Sequence, residues 1–357
     1  MFSSNLFILL ATSLVLANFP SVVHSQTLEA VLTSSKFPYG LTFTGIAYDG
    51  DDSIYIFGGL YQEYNSTTTG ISDQIYRYSV VSDTLTPVGQ FPNPIYGGSV
   101  EHDGNGNYFY FGGNLPYDPD QSGSTYSLKI FKFTPSDGQV VQVGTILRYL
   151  FRSPCIRYNN TVVILGSSYY SDPAVFAFDM ETHQVKWLRD MPQRYMDHTA
   201  VWDEAENRAV VFGYKHRPAS KSAEPNAVEP FTLYKPTGFG DNEVVDVILP
   251  FSFTGLTQAT AVVGRAAYVI GSQRPSTSNY IARVNLETLE VERIYVENFI
   301  PYYDLSDVDL FYIISAVYVE KLNRIYYFGG RLQFYSFKHT QYIGDVAYID
   351  LAPLGQN

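Results

Sequence analysis

Cysteine is almost missing from this 357-residue sequence, because Cys155 is the only one. A chain with one cysteine cannot form an internal disulfide, so a hydrophobic core must hold it together, and this length supplies one readily. No run of about 18 consecutive apolar residues occurs, which excludes an ordinary membrane-spanning helix. Positive charge is also scarce, since 23 Lys and Arg stand against 35 Asp and Glu, a formal net charge of −12. Such an acidic chain is a poor partner for nucleic acid or for anionic membranes.

The first 25 residues contain no Asp, Glu, Lys or Arg. Their apolar run from Leu6 to Ala17 is too short to span a bilayer, and small residues follow near Ser25. This pattern is typical of a secretory signal peptide at residues 1–25, with a mature chain at residues 26–357. We therefore predict a secreted, extracellular protein that has no membrane span.

A strand that ends in glycine recurs six times along the mature chain. The phrases are IYIFGG (Ile54–Gly59), YFYFGG (Tyr108–Gly113), VVILGS (Val162–Ser167), AVVFGY (Ala209–Tyr214), AYVIGS (Ala267–Ser272) and IYYFGG (Ile325–Gly330). Their first glycines are Gly58, Gly112, Gly166, Gly213, Gly271 and Gly329, with spacings of 54, 54, 47, 58 and 58 residues. Near-regular units of this length are typical of a β-propeller. We interpret the glycines as structural, at points where a strand leaves its sheet.

Each unit has the same internal order. A first strand leads through a tight turn rich in Asp, Asn and Gly, such as Asp103–Asn107, into the glycine-ended strand. A variable loop, a third strand and a fourth strand follow, which predicts an all-β, six-bladed propeller with four antiparallel strands per blade. The sixth unit lacks a fourth strand, whereas Thr27–Leu32 precedes the first unit without a partner. We predict that this N-terminal strand closes the last blade.

The pattern resembles the kelch repeat family over the whole of residues 26–357. The fourth unit, Met191–Tyr214, carries the family's Pro–Arg–His lead-in, its turn and its strand ending in glycine. The resemblance implies a kelch-type propeller forming a single domain. It also implies that such a protein works through its loops, and it leaves the partner open.

Aligned first strands place small residues in one column. These residues are Gly45, Ser99, Cys155, Thr199, Thr260 and Ala316. We interpret the column as packing around the central axis, and Cys155 as a buried, inert thiol. A catalytic thiol would need exposure and a nearby histidine.

The sequence carries no recognisable catalytic or metal-binding pattern. The histidines of the mature chain are scattered singly, at His102, His183, His198, His216 and His339, and no two have a ligand spacing. Neither a Gly-x-Ser-x-Gly elbow nor a phosphate-binding loop is present. We therefore predict no catalytic residue, no metal and no cofactor.

The lead-ins to the first strands supply charged and aromatic residues that would face one mouth of the ring. The candidates for binding are Tyr96, Arg148, Arg152, Arg194, Tyr195, Asp197, His198 and Asp309. One interpretation is a surface for a ligand or partner, because these residue types serve as interface anchors. The other is that the Arg and Asp side chains pair between neighbouring blades. Two N-glycosylation sequons begin at Asn65 and Asn159.

The function indicated by these features is a non-catalytic binding module for an extracellular protein or glycan. An alternative is an extracellular enzyme with its site at the ring mouth. A further alternative is a structural role in an extracellular matrix, suggested by 31 tyrosines that can crosslink oxidatively. Most tyrosines lie in strand phrases, however, so core packing is the better explanation of their number.

Overall fold

Most of the described residues lie in β-strands. The computed structural model describes residues 27–116, 126–168, 171–191, 195–215, 230–234, 244–246, 259–270, 279–299, 308–312, 314–334 and 340–354. The strands of the first half are β1 (Thr27–Lys36), β2 (Gly40–Thr42), β3 (Gly45–Tyr48), β4 (Ser53–Phe57), β5 (Leu60–Gln62), β6 (Thr69–Ile71), β7 (Gln74–Ser79), β8 (Thr84–Gln90), β9 (Ser99–His102), β10 (Tyr108–Phe111), β11 (Lys129–Thr134), β12 (Gln139–Thr145), β13 (Cys155–Tyr158), β14 (Thr161–Ser168), β15 (Ser171–Asp179) and β16 (Val185–Asp190).

The second half continues in the same way. Its strands are β17 (Tyr195–Asp203), β18 (Arg208–Lys215), β19 (Pro230–Tyr234), β20 (Val244–Asp246), β21 (Thr260–Val263), β22 (Ala266–Val269), β23 (Tyr280–Asn285), β24 (Val291–Glu297), β25 (Val308–Tyr312), β26 (Ser315–Val319), β27 (Arg324–Phe328), β28 (Arg331–Phe334), β29 (Thr340–Tyr342) and β30 (Asp345–Asp350). In the described part of the chain, two single-turn 3₁₀ helices occur, at Glu320–Leu322 and Ala352–Leu354. Within the described ranges, no helix has the length and apolar character to cross a membrane.

Most strands belong to sets of four antiparallel neighbours that follow one another along the chain. Sets one to four are separate sheets, formed by β3-β4-β7-β8, β9 to β12, β13 to β16, and β17 to β20. Set five (β21 to β24) and set six (β26, β27 and β30) are joined through β1 into one eight-stranded sheet. The protein is therefore all-β, as the sequence predicts.

Strand β1 joins these two sets because it changes partner halfway along its length. Thr27–Glu29 pair in parallel with β24, the outer strand of set five. Ala30–Leu32 pair in antiparallel register with β30, the outermost of the three other strands of set six, and a second pairing occurs at Lys36. The N-terminal strand thus completes set six, and its first three residues also extend set five, which the sequence did not indicate.

The first strands of the six sets contact one another in a closed cycle. In order, β3 contacts β9, β9 contacts β13, β13 contacts β17, β17 contacts β21, β21 contacts β26, and β26 contacts β3. We call the end of these strands where the chain enters them the mouth end. The opposite end, where hairpins lead into the second strands, is the turn end.

At the mouth end, double glycines connect sets one, two and six to the set that follows each of them. Gly59 donates its backbone N–H to the carbonyl of Ile95, which lies four residues before the first strand of the next set, at 2.9 Å. The same bond joins Gly113 to Leu150 at 2.9 Å and Gly330 to Leu41 at 2.9 Å, so set six is tied to set one. The glycine before each donor, such as Gly112, has positive φ, and a Cβ there would meet the carbonyl it faces. The structural interpretation of these glycines is correct.

The core lies between neighbouring sets and is strongly aromatic. Tyr108 and Tyr110 of set two pack with Phe57 of set one, and Phe109 packs with Phe178 of set three at 5.3 Å between ring centroids. Tyrosines in the strand phrases are almost fully buried, among them Tyr78, Tyr108, Tyr110 and Tyr326. Core packing thus accounts for these tyrosines, as expected from the phrases in which they lie.

Two small sheets cover the mouth end over sets one and six. They are β2-β5-β6 and β25-β28-β29, and both are built from loops that precede a first strand or follow a glycine. The backbone N–H of Tyr342 donates to the Gln62 side chain at 2.8 Å, and Leu41 donates to the Ile343 carbonyl at 2.9 Å. The mouth end therefore has a wall on one side, formed where the two ends of the chain meet.

Candidate functional site: an aromatic cluster at the mouth end

Three successive lead-ins reach the mouth end in the same left-handed backbone conformation. Phe43, Gly97 and Arg152 precede sets one, two and three, with φ of 58°, 70° and 52°. Gly97 donates its N–H to the carbonyl of Phe43 at 2.9 Å, and Arg152 donates to the carbonyl of Gly97 at 2.8 Å. Left-handed geometry costs free energy at non-glycine residues, and such strain concentrates at functional sites. The hydrogen bonds stabilise Phe43 and Arg152 in this conformation.

Aromatic side chains surround Arg152. Its guanidinium carbon lies 4.1 Å from the ring centroid of Phe43 and 5.0 Å from that of Phe151. The Phe43 and Phe151 rings are stacked at 6.2 Å, and Tyr96 meets Phe151 edge-on at 5.7 Å. Tyr149 stacks on Phe151 at 6.3 Å. We call Phe43, Tyr96, Tyr149, Phe151 and Arg152 the mouth cluster.

Asn114 fixes the tyrosines of the mouth cluster. Its side-chain amide donates to the Tyr96 hydroxyl at 3.0 Å, and the Tyr149 hydroxyl donates to its carbonyl oxygen at 2.7 Å. Asn114 also forms a backbone bridge with Tyr96 and another with Tyr126. Burial and the neighbouring Tyr126 raise the pKa of Tyr149, so its hydroxyl stays protonated and able to donate. The tyrosines are therefore held before any ligand arrives.

The structure brings together only part of the residues predicted for the mouth. Tyr96 and Arg152 are half-buried members of the mouth cluster, and Arg148 lies nearby in the chain with an exposed side chain. His198 is fully buried, with Nε2 2.8 Å from the Leu165 carbonyl oxygen, so it joins sets four and three instead of lining the mouth. The remaining candidates fall outside what the structure describes: Arg194 entirely, and the side chains of Tyr195, Asp197 and Asp309.

Phe43, Tyr149 and Phe151 belong to the mouth cluster but were not candidates in the sequence. Phe43 itself has the left-handed conformation, and Phe151 directly precedes the left-handed Arg152, a feature that only backbone geometry reveals. Their signal in the sequence is the presence of an aromatic residue two, four or six residues before a first strand. That signal is weak in a chain with 16% aromatic residues.

The predicted column of small residues is wrong by one position in three sets. In sets one, two and four, the small residue pairs with the residue directly before the glycine of its set; the pairs are Gly45–Phe57, Ser99–Phe111 and Thr199–Phe212. In sets three, five and six, it pairs with the residue two positions before the glycine; the pairs are Cys155–Ile164, Thr260–Val269 and Ala316–Tyr327. The lead-ins of sets three, five and six are thus offset by one residue relative to the others. Sequence spacing alone does not reveal this offset.

Cys155 is buried and unbonded to another cysteine. Burial, and then the negative charge of Glu101, raise the pKa of its thiol well above the usual range. This environment is that of an inert thiol. Among the residues the structure describes, no group of three or more His, Cys, Asp or Glu side chains is arranged to hold a metal ion.

Both sequons begin at exposed asparagines in turns. Asn65 lies between β5 and β6 at the mouth end, with φ of 58°, and Asn159 lies in the hairpin between β13 and β14, with φ of 53°. Both side chains point away from the core and are accessible to a modifying enzyme.

The fold and the mouth cluster define an all-β, β-propeller-like protein with an aromatic and cationic surface at one end. No family model matches the sequence, and no curated protein matches it either. Among solved structures, YjhT, which has a kelch-like β-propeller-type fold, is similar over 89% of this chain and 97% of its own, with a TM-score of 0.61. The sequence identity is 12%, so this likeness concerns the fold alone.

Proposed function

We propose that this chain is a secreted, six-bladed kelch-type propeller that acts as a non-catalytic binding module. Its partner is an extracellular protein or glycan, bound at the mouth cluster. The observation that carries the proposal is the group of aromatic rings at Arg152, the buried Phe43 and the half-buried Tyr96, Tyr149 and Phe151, held in place by strained backbone and by Asn114.

The closed cycle of six first strands supports the blade count. Each first strand belongs to one set. The backbone hydrogen bond from Gly330 joins set six to set one, just as those from Gly59 and Gly113 join set one to set two and set two to set three. A ring closed by pairing within the chain leaves few free sheet edges. Such a ring suits an extracellular protein that has no disulfide.

The chemistry of the mouth cluster favours recognition. Arg, Tyr and other aromatic residues provide most of the binding energy at protein interfaces, because they offer a large apolar area together with hydrogen-bond donors. Aromatic faces and a planar guanidinium also suit the apolar faces and hydroxyl groups of a sugar. The fixed rotamers reduce the entropy lost on binding.

The experiment is a pull-down from extracellular fluid and a glycan-array screen with residues 26–357, in the wild type and in Arg152→Ala. The matched control is Arg324→Ala, which also removes an arginine lying over a tyrosine ring, at 4.2 Å from Tyr348, but outside the mouth cluster. Circular dichroism and a thermal melt establish that each variant is folded. We expect a specific partner that is retained by Arg324→Ala and lost by Arg152→Ala. A partner bound equally by both variants would contradict a site at the mouth cluster.

A further inference from the structure

A cavity of about 300 Å³ lies among the first strands toward the turn end. Its wall includes Glu101, His102 and Cys155, together with Tyr48 and Tyr318. The mouth cluster contributes no residue to this wall, so the cavity is a separate site. Its volume is at the lower end of the range for ligand pockets and fits a small molecule.

Glu101 occupies a position that is apolar in the other five sets. It pairs with Phe109, three residues before the glycine of its set. The residues at the same register position are Ala47, Ile156, Val201, Ala261 and Val317. These side chains pack between neighbouring sets, so a carboxyl group is not needed for packing at this position.

Among the described residues, no lysine or arginine forms an ion pair with Glu101. The positive charge of Arg157 acts to lower the pKa of Glu101, but Arg157 is absent from the cavity wall and donates to the Asn159 carbonyl at 3.1 Å. Its Nη1 also lies 3.4 Å from Nδ1 of His102. Burial therefore outweighs the attraction of Arg157 and raises the pKa of Glu101 to about 8. A half-buried carboxyl group without an ionic partner costs the fold free energy, and such groups concentrate at functional sites.

The entrance at the turn end is acidic. Asp49, Asp51, Asp52 and Glu320 lie close enough to Tyr48 that, after burial, their charges help raise its pKa to about 12. Lys321 pairs with Asp51 and Arg77 pairs with Asp52 at 3.4 Å, so two of these four carboxylates have a cationic partner and the entrance keeps an excess of negative charge. Carboxylates at a cleft entrance concentrate cations there and repel anions.

We propose that this cavity binds a small organic cation, with its ammonium group beside the Glu101 carboxylate. The aliphatic part of the ligand contacts the apolar wall, which includes Ala47, Val100 and Val317. Tyrosine rings at Tyr48 and Tyr318 add faces that attract a cation. His102 does not oppose the ligand, because burial and Arg157 lower its pKa and keep the ring neutral near pH 7.

Isothermal titration calorimetry tests the proposal with three cations, choline, tetramethylammonium and butylammonium. The matched neutral probe is 3,3-dimethylbutan-1-ol, the uncharged isostere of choline. We expect at least one cation to bind saturably, and Glu101→Gln to weaken its affinity by about tenfold or more, because a charge-assisted contact is lost. Glu206→Gln, which removes an exposed carboxylate from the turn before β18, is expected to change affinity less than about twofold.

The pH dependence of choline binding to the wild type is a second measurement that does not depend on how a variant folds. Choline keeps its charge at every pH, so any pH dependence comes from the protein. The groups that can titrate at the cavity are Glu101, His102 and Cys155, whereas Arg157 stays charged. The cation needs the carboxylate form, so affinity should rise between about pH 6 and about pH 9.

The proposal would be overturned if none of the three cations bound saturably, or if choline and its neutral isostere bound with equal affinity. It would also be overturned if the wild type and Glu101→Gln bound a cation with equal affinity. These results leave the mouth cluster untouched, because Arg152→Ala tests it separately.

Discussion

Two acidic side chains lie between neighbouring sets, and their surroundings differ sharply. Asp203, only 2% exposed, accepts a hydrogen bond from Nε of Arg208 at 3.1 Å and another from Nη1 of Arg265 at 2.9 Å. Arg208 also donates to the Leu286 carbonyl at 2.6 Å, which ties set four to set five. Glu101, between sets two and three, lines a cavity and has no ionic partner among the described residues.

The difference separates a structural carboxylate from a functional one. Asp203 is compensated by two guanidinium groups, so its charge contributes to the contact between sets. The charge of Arg157 and the backbone N–H groups of His102 and Arg157 offset the burial of Glu101 only in part, and a ligand can relieve the remaining cost. Removing the charge should therefore have opposite effects on stability at the two positions.

Asp203→Ala should have the largest effect. It leaves the buried Arg208 without its counter-ion, and breaking a buried pair from one side typically costs about 3–5 kcal/mol. Urea denaturation followed by circular dichroism measures the loss. The control is Asp137→Ala, in an exposed turn. A loss below about 1 kcal/mol would show that the network is not a structural tie.

Glu101→Gln should stabilise the protein at alkaline pH. Because the folded-state pKa is raised above the unfolded value, the folded state holds the proton more tightly, and wild-type stability falls as pH rises from about 4.5 to about 8. The glutamine variant lacks this fall, so it should be more stable than the wild type by about 2–4 kcal/mol near pH 8.

Denaturation midpoints measured across this pH range give the comparison. Parallel curves for the wild type and Glu101→Gln would mean that Glu101 is as well solvated in the folded protein as in the unfolded chain. Such a result would remove the contrast with Asp203.

Gly112→Ala and Gly106→Ala compare how the backbone at the mouth end and at the turn end tolerates a side chain. Gly112 has φ of 69°, and a Cβ would lie 2.6 Å from the Leu150 carbonyl oxygen at the mouth end. Gly106, in a hairpin at the turn end, has φ of 88° and nothing within 4 Å of the added atom. Both substitutions incur the left-handed penalty, so Gly112→Ala should cost about 1–3 kcal/mol more than Gly106→Ala in chemical denaturation. Equal losses would show that the mouth end yields easily to a side chain.

Asp83→Asn should have the smallest effect on stability. The Asp83 carboxylate accepts hydrogen bonds from the backbone N–H and the hydroxyl of Ser34, both at 2.6 Å, which ties β1 to set one. Although burial alone would raise it, these hydrogen bonds and one from Tyr78 lower the pKa of Asp83 to about 2.

A lowered folded-state pKa contributes stability that is present above about pH 4 and is lost as pH falls through about 2. We expect Asp83→Asn to cost no more than about 1 kcal/mol at neutral pH, because the group is partly exposed. The loss of unfolding free energy between about pH 4 and about pH 2 should also be smaller in Asp83→Asn than in the wild type. Unfolding curves recorded against pH check this, and an unchanged acid limb would contradict the role of Asp83.

The sequence predicts the strands well because its signals are local. The glycine-ended phrases and the turns rich in Asp, Asn and Gly act within a few residues, and the strands of the six sets lie where these signals place them. The strands of the two small sheets at the mouth end were not predicted. The pairing of Ala30–Leu32 with β30 follows from one spare strand and one incomplete set. The pairing of Thr27–Glu29 with β24 was not predicted, and it occurs because β1 is long enough to reach a second strand.

The sites are harder to read because they depend on register and on backbone handedness. A one-residue offset in sets three, five and six hides the column in which Glu101 is the exception. The left-handed conformation of Phe43 and Arg152 carries no residue signature, since left-handed geometry usually marks glycine or asparagine. His198 was a candidate for its position in a lead-in, yet its side chain turns inward to Leu165.

We propose that the mouth cluster binds the partner and that the cavity at Glu101 is independent of it. The decisive measurement is the dissociation constant of the captured partner for the wild type, Arg152→Ala, Arg324→Ala and Glu101→Gln, each confirmed as folded. We predict that Arg152→Ala weakens binding by about tenfold or more and that the other two variants stay within about twofold of the wild type. Unchanged affinity in Arg152→Ala, or an equal loss in Arg324→Ala, would contradict the account.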